Sequence, residues 1–307
     1  MPFIVLFNFG SAILRAVGDT RNPMCYLIYA GFLNVILNLF FVICLHMDVD
    51  GVALATVISQ ALSAFLVIRN LHKTRDCCRF RFHALHVAPK ILRDILWIGL
   101  PAGIQSAFFS ISNVTIQSTV NSFGSTVIAA NMAAIVIESI IYTGSFAYHQ
   151  TAISFTSQNL GGGKFNRICT SFWYCMLLTT VINTVMGLTG VCFGPEILGF
   201  FSKDPAIIPY GMVRMKYLFT FYALCGMMDT VSGTLRGLGF SIQSAVVTMI
   251  GVCVLRVTWV FFIFPLNPIL ENLMISYPIS WGLTAGANGI FLYFHLRKLK
   301  KQMVCAA

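Results

Sequence analysis

One eight-residue element occurs twice in this chain of 307 residues: Ser11-Ala-Ile-Leu-Arg-Ala-Val-Gly18 and, 221 residues later, Ser232-Gly-Thr-Leu-Arg-Gly-Leu-Gly239. At the same offset Phe41 corresponds to Phe262, and Ser59 corresponds to Ser280. Each copy is followed by two long apolar runs and then by a basic segment. Similarity at a fixed offset is the sequence signature of a structural repeat, so the chain is predicted to contain the same helical unit twice.

The composition of the chain is that of an integral membrane protein. Hydrophobic residues make up 57% of it and charged residues only 10%, against about 25% charged residues in ordinary soluble domains. This excludes an ordinary soluble enzyme, a disordered protein and a soluble nucleic-acid binder, so no nucleic-acid partner is expected. The ten cysteines lie mostly within apolar runs, where free cysteine acts as a small hydrophobe, and their spacing predicts no metal site.

Eight segments are long and apolar enough to cross a bilayer, which requires about 20 residues. They are residues 24–46, 49–71, 91–123, 126–157, 166–193, 210–235, 244–265 and 273–296, and residues 2–14 resemble the tail of a ninth. The predicted fold class is therefore an all-α integral membrane protein that interacts with the lipid bilayer.

The positive charges predict the orientation of the spans. Most of the 20 Lys and Arg residues lie on alternate loops, above all in the segment 69–93 and after residue 296. The opposite side has Lys203, with Arg214 and Lys216 near the start of a span. Because cytoplasmic loops carry the excess of Lys and Arg, we expect a multi-pass protein of the cell (inner) membrane with its C-terminus in the cytoplasm.

The repeat also predicts how the chain is divided. The second Leu-Arg-x-x-Gly element follows four spans, whereas the first follows only 14 residues. If the two lobes are equivalent, roughly 130 residues are missing before Met1, and the chain is a fragment of a protein with two six-helix lobes. We therefore predict a remnant N-terminal lobe (1–72), a basic cytoplasmic linker (73–93), a six-helix C-terminal lobe (94–297) and a cytoplasmic tail (298–307). The alternative is an asymmetric protein that never had those helices.

Several motifs resemble multidrug and toxin extrusion (MATE) transporters of the bacterial type. Leu14-Arg-Ala-Val-Gly-Asp-Thr-Arg-Asn-Pro23 is similar to the loop after their fourth helix, and Leu235-Arg-Gly-Leu-Gly239 to the loop after their tenth. Gly51-Val-Ala-Leu-Ala-Thr-Val-Ile-Ser-Gln60 resembles the start of their sixth helix, and Gly99-Leu-Pro101 the start of their seventh. Ser157-Gln-Asn-Leu-Gly-Gly-Gly-Lys-Phe-Asn-Arg167 is similar to the loop after their eighth helix, although the family usually has Gly at the position of Ser157. The order and spacing of these motifs carry the resemblance, which covers essentially the whole chain.

The resemblance implies a two-lobed bundle of parallel six-helix repeats and a secondary active transporter rather than an enzyme. Such a protein exports small organic, often cationic, drugs and toxins in exchange for H⁺ or Na⁺ by alternating access, and it needs no cofactor. A full-length protein of this kind is expected to be monomeric, and the fragment is expected to be inactive alone. One alternative is a lipid-linked oligosaccharide flippase of the same superfamily, which commonly has several basic residues in its cavity. Another is a multi-span membrane enzyme, for which His83 and His86 are the only clustered candidates.

Glu138 is the first candidate for ion coupling, because it lies about 12 residues, or ~18 Å, inside its predicted span. Charged residues at such a depth are costly and suggest function. A polar stripe shares one helical face with it, formed by Asn131, Tyr142, Ser145, His149 and Thr156. The stripe predicts either the wall of a cavity, with His149 as a proton relay, or a contact between helices in which a neighbour holds Glu138.

The preceding predicted helix carries a second polar face. It consists of Ser106, Ser110, Asn113 and Gln117, with Gln105 at its edge. Because this face is uncharged, it favours contact with an organic substrate over binding of an ion. Together with Asn131, Tyr142 and Ser145, these residues are the candidates for a substrate cavity.

Asp229 is the second acid inside a span, about 10 Å from the helix end at Arg236. Either it forms a salt bridge with Arg236, or it couples ion and substrate movement. The resemblance implies carboxylates on the seventh and tenth helices, but Phe109 and Ser110 lie near the expected position on the seventh. A Na⁺ site of that pattern is therefore incomplete, and coupling to H⁺ is favoured over Na⁺.

Arg256 lies within an apolar span and requires a partner. Counted from the external side it lies ~14 Å deep, which is close to the depth of Glu138. We therefore predict a buried Glu138–Arg256 pair. Such a pair would keep Glu138 ionised and weaken its role as a proton carrier.

Overall fold

The computed structural model describes residues 1–74, 79–81, 88–201 and 204–305, without the side chains of 301–305. The helices in this part of the chain form two compact units, Met1–Ala88 and Pro89–Ala307. Their boundary falls inside the predicted linker 73–93, and His83 and His86 lie outside the described residues.

The first unit consists of three helices. They are α1 (Pro2–Ala16), α2 (Arg21–Leu39), which continues into a π-helical turn at Phe40–Cys44, and α3 (Val49–Lys73). Both α1 and α2 pack against α3. The buried core of the unit is formed by Phe7, Leu14, Ala64, Val67 and Leu71.

The second unit contains the remaining helices. They are α4 (Pro89–Asn121), α5 (Ser125–Gly161), α6 (Phe165–Cys192), α7 (Gly194–Phe201), α8 (Ile207–Phe219), α9 (Tyr222–Gly237), α10 (Ser241–Thr248), α11 (Leu255–Thr258) and α12 (Leu270–Cys305). One irregular helix runs from α10 through α11, with π-helical turns at Met249–Val254 and Trp259–Ile263. The largest core surrounds Phe219, Tyr222, Met215, Leu273 and Trp281, so α8, α9 and α12 lie at the centre of this unit.

Six helices of the described chain are long and apolar enough to cross a membrane. They are Arg21–Cys44, Val49–Lys73, Pro89–Asn121, Ser125–Gly161, Phe165–Cys192 and Ser241–Leu266, and they correspond to six of the eight predicted spans. The predicted span 210–235 is broken into α8 and α9, each of which is short. The predicted span 273–296 lies within α12, which has 36 residues and includes the basic run 297–301 before its last turn.

The break between α8 and α9 depends on a close approach of the backbone. Thr220 and Phe221 separate the two helices, and the carbonyl oxygen of Phe219 faces Gly187 of α6. A Cβ atom added to Gly187 would lie only 2.2 Å from that oxygen. Since every other residue has a Cβ, only glycine allows α6 to support the broken helix at this point.

The internal repeat is visible in the backbone. Gly18 and Gly239 both have φ of +92°, and the following amide donates to the carbonyl of Leu14 in one copy and of Leu235 in the other, both at 2.9 Å. These are equivalent helix ends with a left-handed glycine. The π-helical turns Phe40–Cys44 and Trp259–Ile263 also overlap at the offset of 221 residues.

Candidate functional site

A buried ion pair joins α5 to α8 in the second unit. Arg214 donates from Nε and Nη2 to the carboxylate Oε2 of Glu138, at 3.1 and 2.6 Å. The side chains of Arg214 and Glu138 are 6% and 16% exposed. A charge-assisted contact of this kind satisfies two groups that would otherwise be costly in a hydrocarbon environment.

The ion pair continues into a chain of amide side chains. Arg214 Nη1 donates to Asn131 Oδ1 at 2.9 Å, and Asn131 Nδ2 donates to Gln117 Oε1 at 2.9 Å. Gln117 Nε2 in turn donates to Asn121 Oδ1 at 2.9 Å. The polar faces predicted on α4 and α5 therefore meet at Gln117 and Asn131, and Arg214 connects both faces to α8.

The predicted pair between Glu138 and Arg256 is wrong. Glu138 is bonded to Arg214, whereas Arg256 donates from Nε to Ser280 Oγ at 2.9 Å. The physical reason is helix packing: α8 lies against α5, while α11 lies against α4 and α12. Equal depth in the membrane does not bring two residues together when their helices are not neighbours.

The C-terminal part of the polar stripe on α5 also contacts neighbouring helices. Ser145 Oγ donates to Asn183 Oδ1 of α6 at 3.0 Å, and both residues are fully buried. His149 Nδ1 lies 2.7 Å from the backbone oxygen of Asp229. Thr156 is packed beside Gly237 of α9. Of the stripe, Tyr142 remains exposed at 44%, so most of this face forms a helix contact, one of the two arrangements that the sequence allowed.

The polar face predicted on α4 is partly exposed and partly buried. Ser106, Ser110 and Asn113 are exposed on the surface of the second unit, and the two hydroxyl groups donate to carbonyl oxygens of their own helix. Gln105 is buried, and its Oε1 accepts a hydrogen bond from Arg236 Nη2. Gln105 therefore serves as a contact to α9.

Asp229 has an incompletely satisfied carboxyl group. Its Oδ2 atom is buried, and no described residue donates a hydrogen bond to it. Arg236 lies two turns further along α9, and its Nη2 is bonded to Gln105. A carboxyl oxygen in this position can accept a proton or a cation without first breaking a hydrogen bond to protein.

Sequence reasoning missed two polar partners, Arg214 and Asn183. The sequence predicts Arg214 near the external start of a span, whereas it lies seven residues inside α8, or about 10 Å from the start of that helix. Asn183 lies in an apolar run of α6, and an amide inside a span is itself the signal that would have identified it. Among the described residues, no group of three or more His, Cys, Asp or Glu side chains could hold a metal ion.

The comparison with protein families agrees with this helical arrangement. The family model MatE matches residues 101–262, which is more than half of the chain. The chain belongs to the MatE family. Members of this family are transporters and not enzymes, so the alternative of a membrane enzyme is excluded.

Curated relatives and solved structures support the same assignment. The chain is 29% identical over 258 residues to the probable multidrug resistance protein YpnP of Bacillus subtilis, covering 83% of this chain and 57% of the relative. It is 24% identical to the probable multidrug resistance protein NorM of Thermotoga maritima, covering 83% and 56%. The structure described as MATE in the straight conformation superimposes with a TM-score of 0.90 at 22% identity, covering 97% of this chain and 68% of that one. The predicted fold class is thereby confirmed, and the chain spans a little over half the length of these two curated relatives.

Proposed function

We propose that this MatE-family protein acts as a secondary active transporter, which exports small organic, often cationic, compounds across the cell membrane in exchange for H⁺ by alternating access. The names of the relatives as multidrug resistance proteins support the substrate class. The shared fold supports a mechanism in which two repeats of parallel orientation move during transport.

The observation that carries the proposed coupling is the buried, unpartnered Oδ2 atom of Asp229. An unpaired carboxylate inside a membrane protein is costly, so this group gains from binding a cation. A proton requires one oxygen atom, whereas metal cations are held by several oxygen ligands. A single free carboxyl oxygen therefore supports H⁺ over Na⁺ as the coupling ion, and no further cofactor is proposed.

The contacts and exposure of the other candidate residues support different roles for them. Glu138 already receives two hydrogen bonds from Arg214, so it supports the packing of α5 against α8. His149 is held at the backbone of Asp229 and is the proposed relay for its proton. The exposed α4 residues Ser106, Ser110 and Asn113 are the proposed substrate contacts.

The test measures protons released when the purified protein in detergent binds the lipophilic cation ethidium in weakly buffered solution. We expect about one proton per bound cation from the wild-type protein, since cation and proton compete for one carboxylate. Asp229→Asn should abolish the release. Glu196→Gln is the matched control, because it makes the same kind of change at an exposed acid on α7.

Undiminished proton release from the Asp229→Asn protein would contradict coupling at this residue. Binding of ethidium to the wild-type protein without any release would contradict H⁺ exchange. A flippase for lipid-linked oligosaccharides would instead respond to an anionic lipid substrate and not to ethidium.

A further inference from the structure

Arg256 is a buried cation that forms no ion pair with a carboxylate in the part of the chain that the structure describes. It lies on α11 and is 4% exposed. Its Nε donates to Ser280 Oγ at 2.9 Å, and its guanidinium carbon lies 4.0 Å from the ring centroid of Tyr277 and 5.8 Å from that of Trp281. Its Nη2 atom is buried and has no acceptor among the described residues.

The charges around Arg256 do not balance. The ring of Tyr277 has a second guanidinium group near it, that of Arg214 at 5.3 Å. Among the described residues, Glu138 is the acid whose charge acts on Arg256, and its Oε2 atom is bonded to Arg214. Two buried guanidinium groups thus share one carboxylate. An uncompensated buried charge is strongly unfavourable, so the region gains from one additional negative charge.

The internal repeat shows that this cation is an addition to the second unit. In the first unit Ser59 accepts a hydrogen bond from Asn34 at 3.2 Å, and Ser59 is the equivalent of Ser280. The position equivalent to Arg256 is Val35, which is exposed. In both units this serine accepts a hydrogen bond from the preceding helix, but the donors lie at positions one residue apart: Asn34 corresponds to Leu255, and the donor in the second unit is the guanidinium group of Arg256.

The backbone differs at the same place. A π-helical turn at Met249–Val254 directly precedes α11, whereas the equivalent residues 28–33 belong to the regular helix α2. Short π-helical turns within α-helices occur frequently at functional sites. The second unit thus departs from the repeat in both side-chain charge and backbone geometry around Arg256.

We propose that Arg256 forms an anion-binding site, in which Nη2 donates to one negatively charged group beside Tyr277 and Trp281. The ligand is singly charged: either a free halide-like anion or the carboxylate of an organic molecule, since both offer an acceptor to a guanidinium N–H. This site is separate from the proposed proton site at Asp229 and does not depend on it.

Trp281 serves as the reporter for the test, because iodide quenches tryptophan fluorescence on contact. The chain is purified in detergent with Trp97→Phe, Trp173→Phe and Trp259→Phe, which leaves Trp281 as its single tryptophan. Iodide is titrated at constant ionic strength, maintained with sodium sulfate. We expect quenching that saturates, with a midpoint on the order of 10 mM, as for a weak specific site. Chloride or benzoate is then added to displace the iodide.

Displacement by chloride identifies a free anion as ligand, and displacement by benzoate alone identifies an organic carboxylate. Either result supports the site.

Arg256→Gln should weaken saturable quenching by about tenfold, because the charged donor is lost, while Arg256→Lys should retain part of it. Asn34→Leu is the matched control: it removes the hydrogen bond to Ser59, the equivalent of Ser280, and leaves Arg256 intact.

Quenching that rises linearly with iodide in the protein with Arg256 would overturn the proposal, independently of how any Arg256 variant folds. Saturable quenching that is identical in a folded Arg256→Gln protein would overturn it as well.

Discussion

At the scale of single residues, the decisive feature is that each buried charge of the second unit has a different environment. Glu138 is paired with Arg214, whereas a carboxyl oxygen of Asp229 and a guanidinium nitrogen of Arg256 have no hydrogen-bond partner among the described residues. Pairing makes the first acid a structural group, whereas the unpaired atoms are available to ligands. The chemical role of each residue follows from its partners rather than from its depth in the membrane.

The Arg214–Glu138 pair leads to a prediction about stability. Arg214→Met should lower the free energy of unfolding by about 3 kcal/mol, since it leaves the carboxylate of Glu138 buried and unpaired. The double variant Glu138→Met/Arg214→Met should recover most of this loss, because neither side chain then carries a charge. The measurement is denaturant unfolding of the chain in detergent micelles. Equal stability of the single and double variants would contradict the prediction.

At the scale of elements, the packing of the helices depends on small residues. Gly187 lies in close contact with the backbone of Phe219 at the break between α8 and α9. Gly226 and Gly233 of α9 lie against Asn183 of α6 and His149 of α5. Close approach of backbones through glycine is the usual basis of helix association in membranes. It places Asp229 beside His149, so the glycines position the candidate coupling site.

Gly187→Ala should therefore be destabilising, by about 1–3 kcal/mol, because the new methyl group overlaps the Phe219 carbonyl. The matched control is Gly286→Ala in α12, where nothing lies within 4 Å of the added Cβ atom. That change should be neutral or stabilising by up to about 1 kcal/mol, since alanine favours the helix. Thermal unfolding in detergent, compared between the two variants, checks the difference, and an equal loss in both would refute the close contact.

The two copies of the repeat provide a second prediction at this scale. Gly18→Ala and Gly239→Ala each place a side chain at φ of +92°, where L-residues are strained by roughly 1–2 kcal/mol. Since neither position has an atom within 4 Å of the added Cβ, the losses should be similar. Chemical unfolding of the two variants measures both. A large loss in only one copy would show that the two turns are not equivalent.

At the scale of the whole molecule, the distribution of charge predicts the orientation in the membrane. Arg297, Lys298, Lys300 and Lys301 follow the last span, and the basic segment 69–93 lies on the same predicted side. The positive-inside rule predicts that these segments face the cytoplasm.

A fusion of alkaline phosphatase after Ala307 should therefore be inactive, since this enzyme folds only outside the cytoplasm, whereas a green fluorescent protein at the same point should fluoresce. The matched control is a phosphatase inserted after Asp204, in the connection between α7 and α8, which should be active. The reverse pattern of activity would invert the predicted topology.

Much of the fold could be predicted from the sequence because its signals are local. Apolar runs of sufficient length predicted the spans, and the Leu-Arg-x-x-Gly element predicted equivalent helix ends at Gly18 and Gly239. The break at Thr220 and Phe221 escaped prediction, because the run 210–235 contains no proline at that point and the break is supported by Gly187, some thirty residues earlier in the chain.

The sequence by itself determined the helical membrane class, the repeat and the identity of the polar stripe from Asn131 to Thr156. Only the tertiary structure decided which partners these residues have. Glu138 is paired with Arg214 and not with Arg256, and the stripe residues Ser145 and His149 contact α6 and α9. The physical reason is that helical periodicity fixes the face on which a side chain lies, whereas its partner depends on which helices pack together. That choice arises from long-range contacts through glycine and apolar side chains, and no local pattern in the sequence records it.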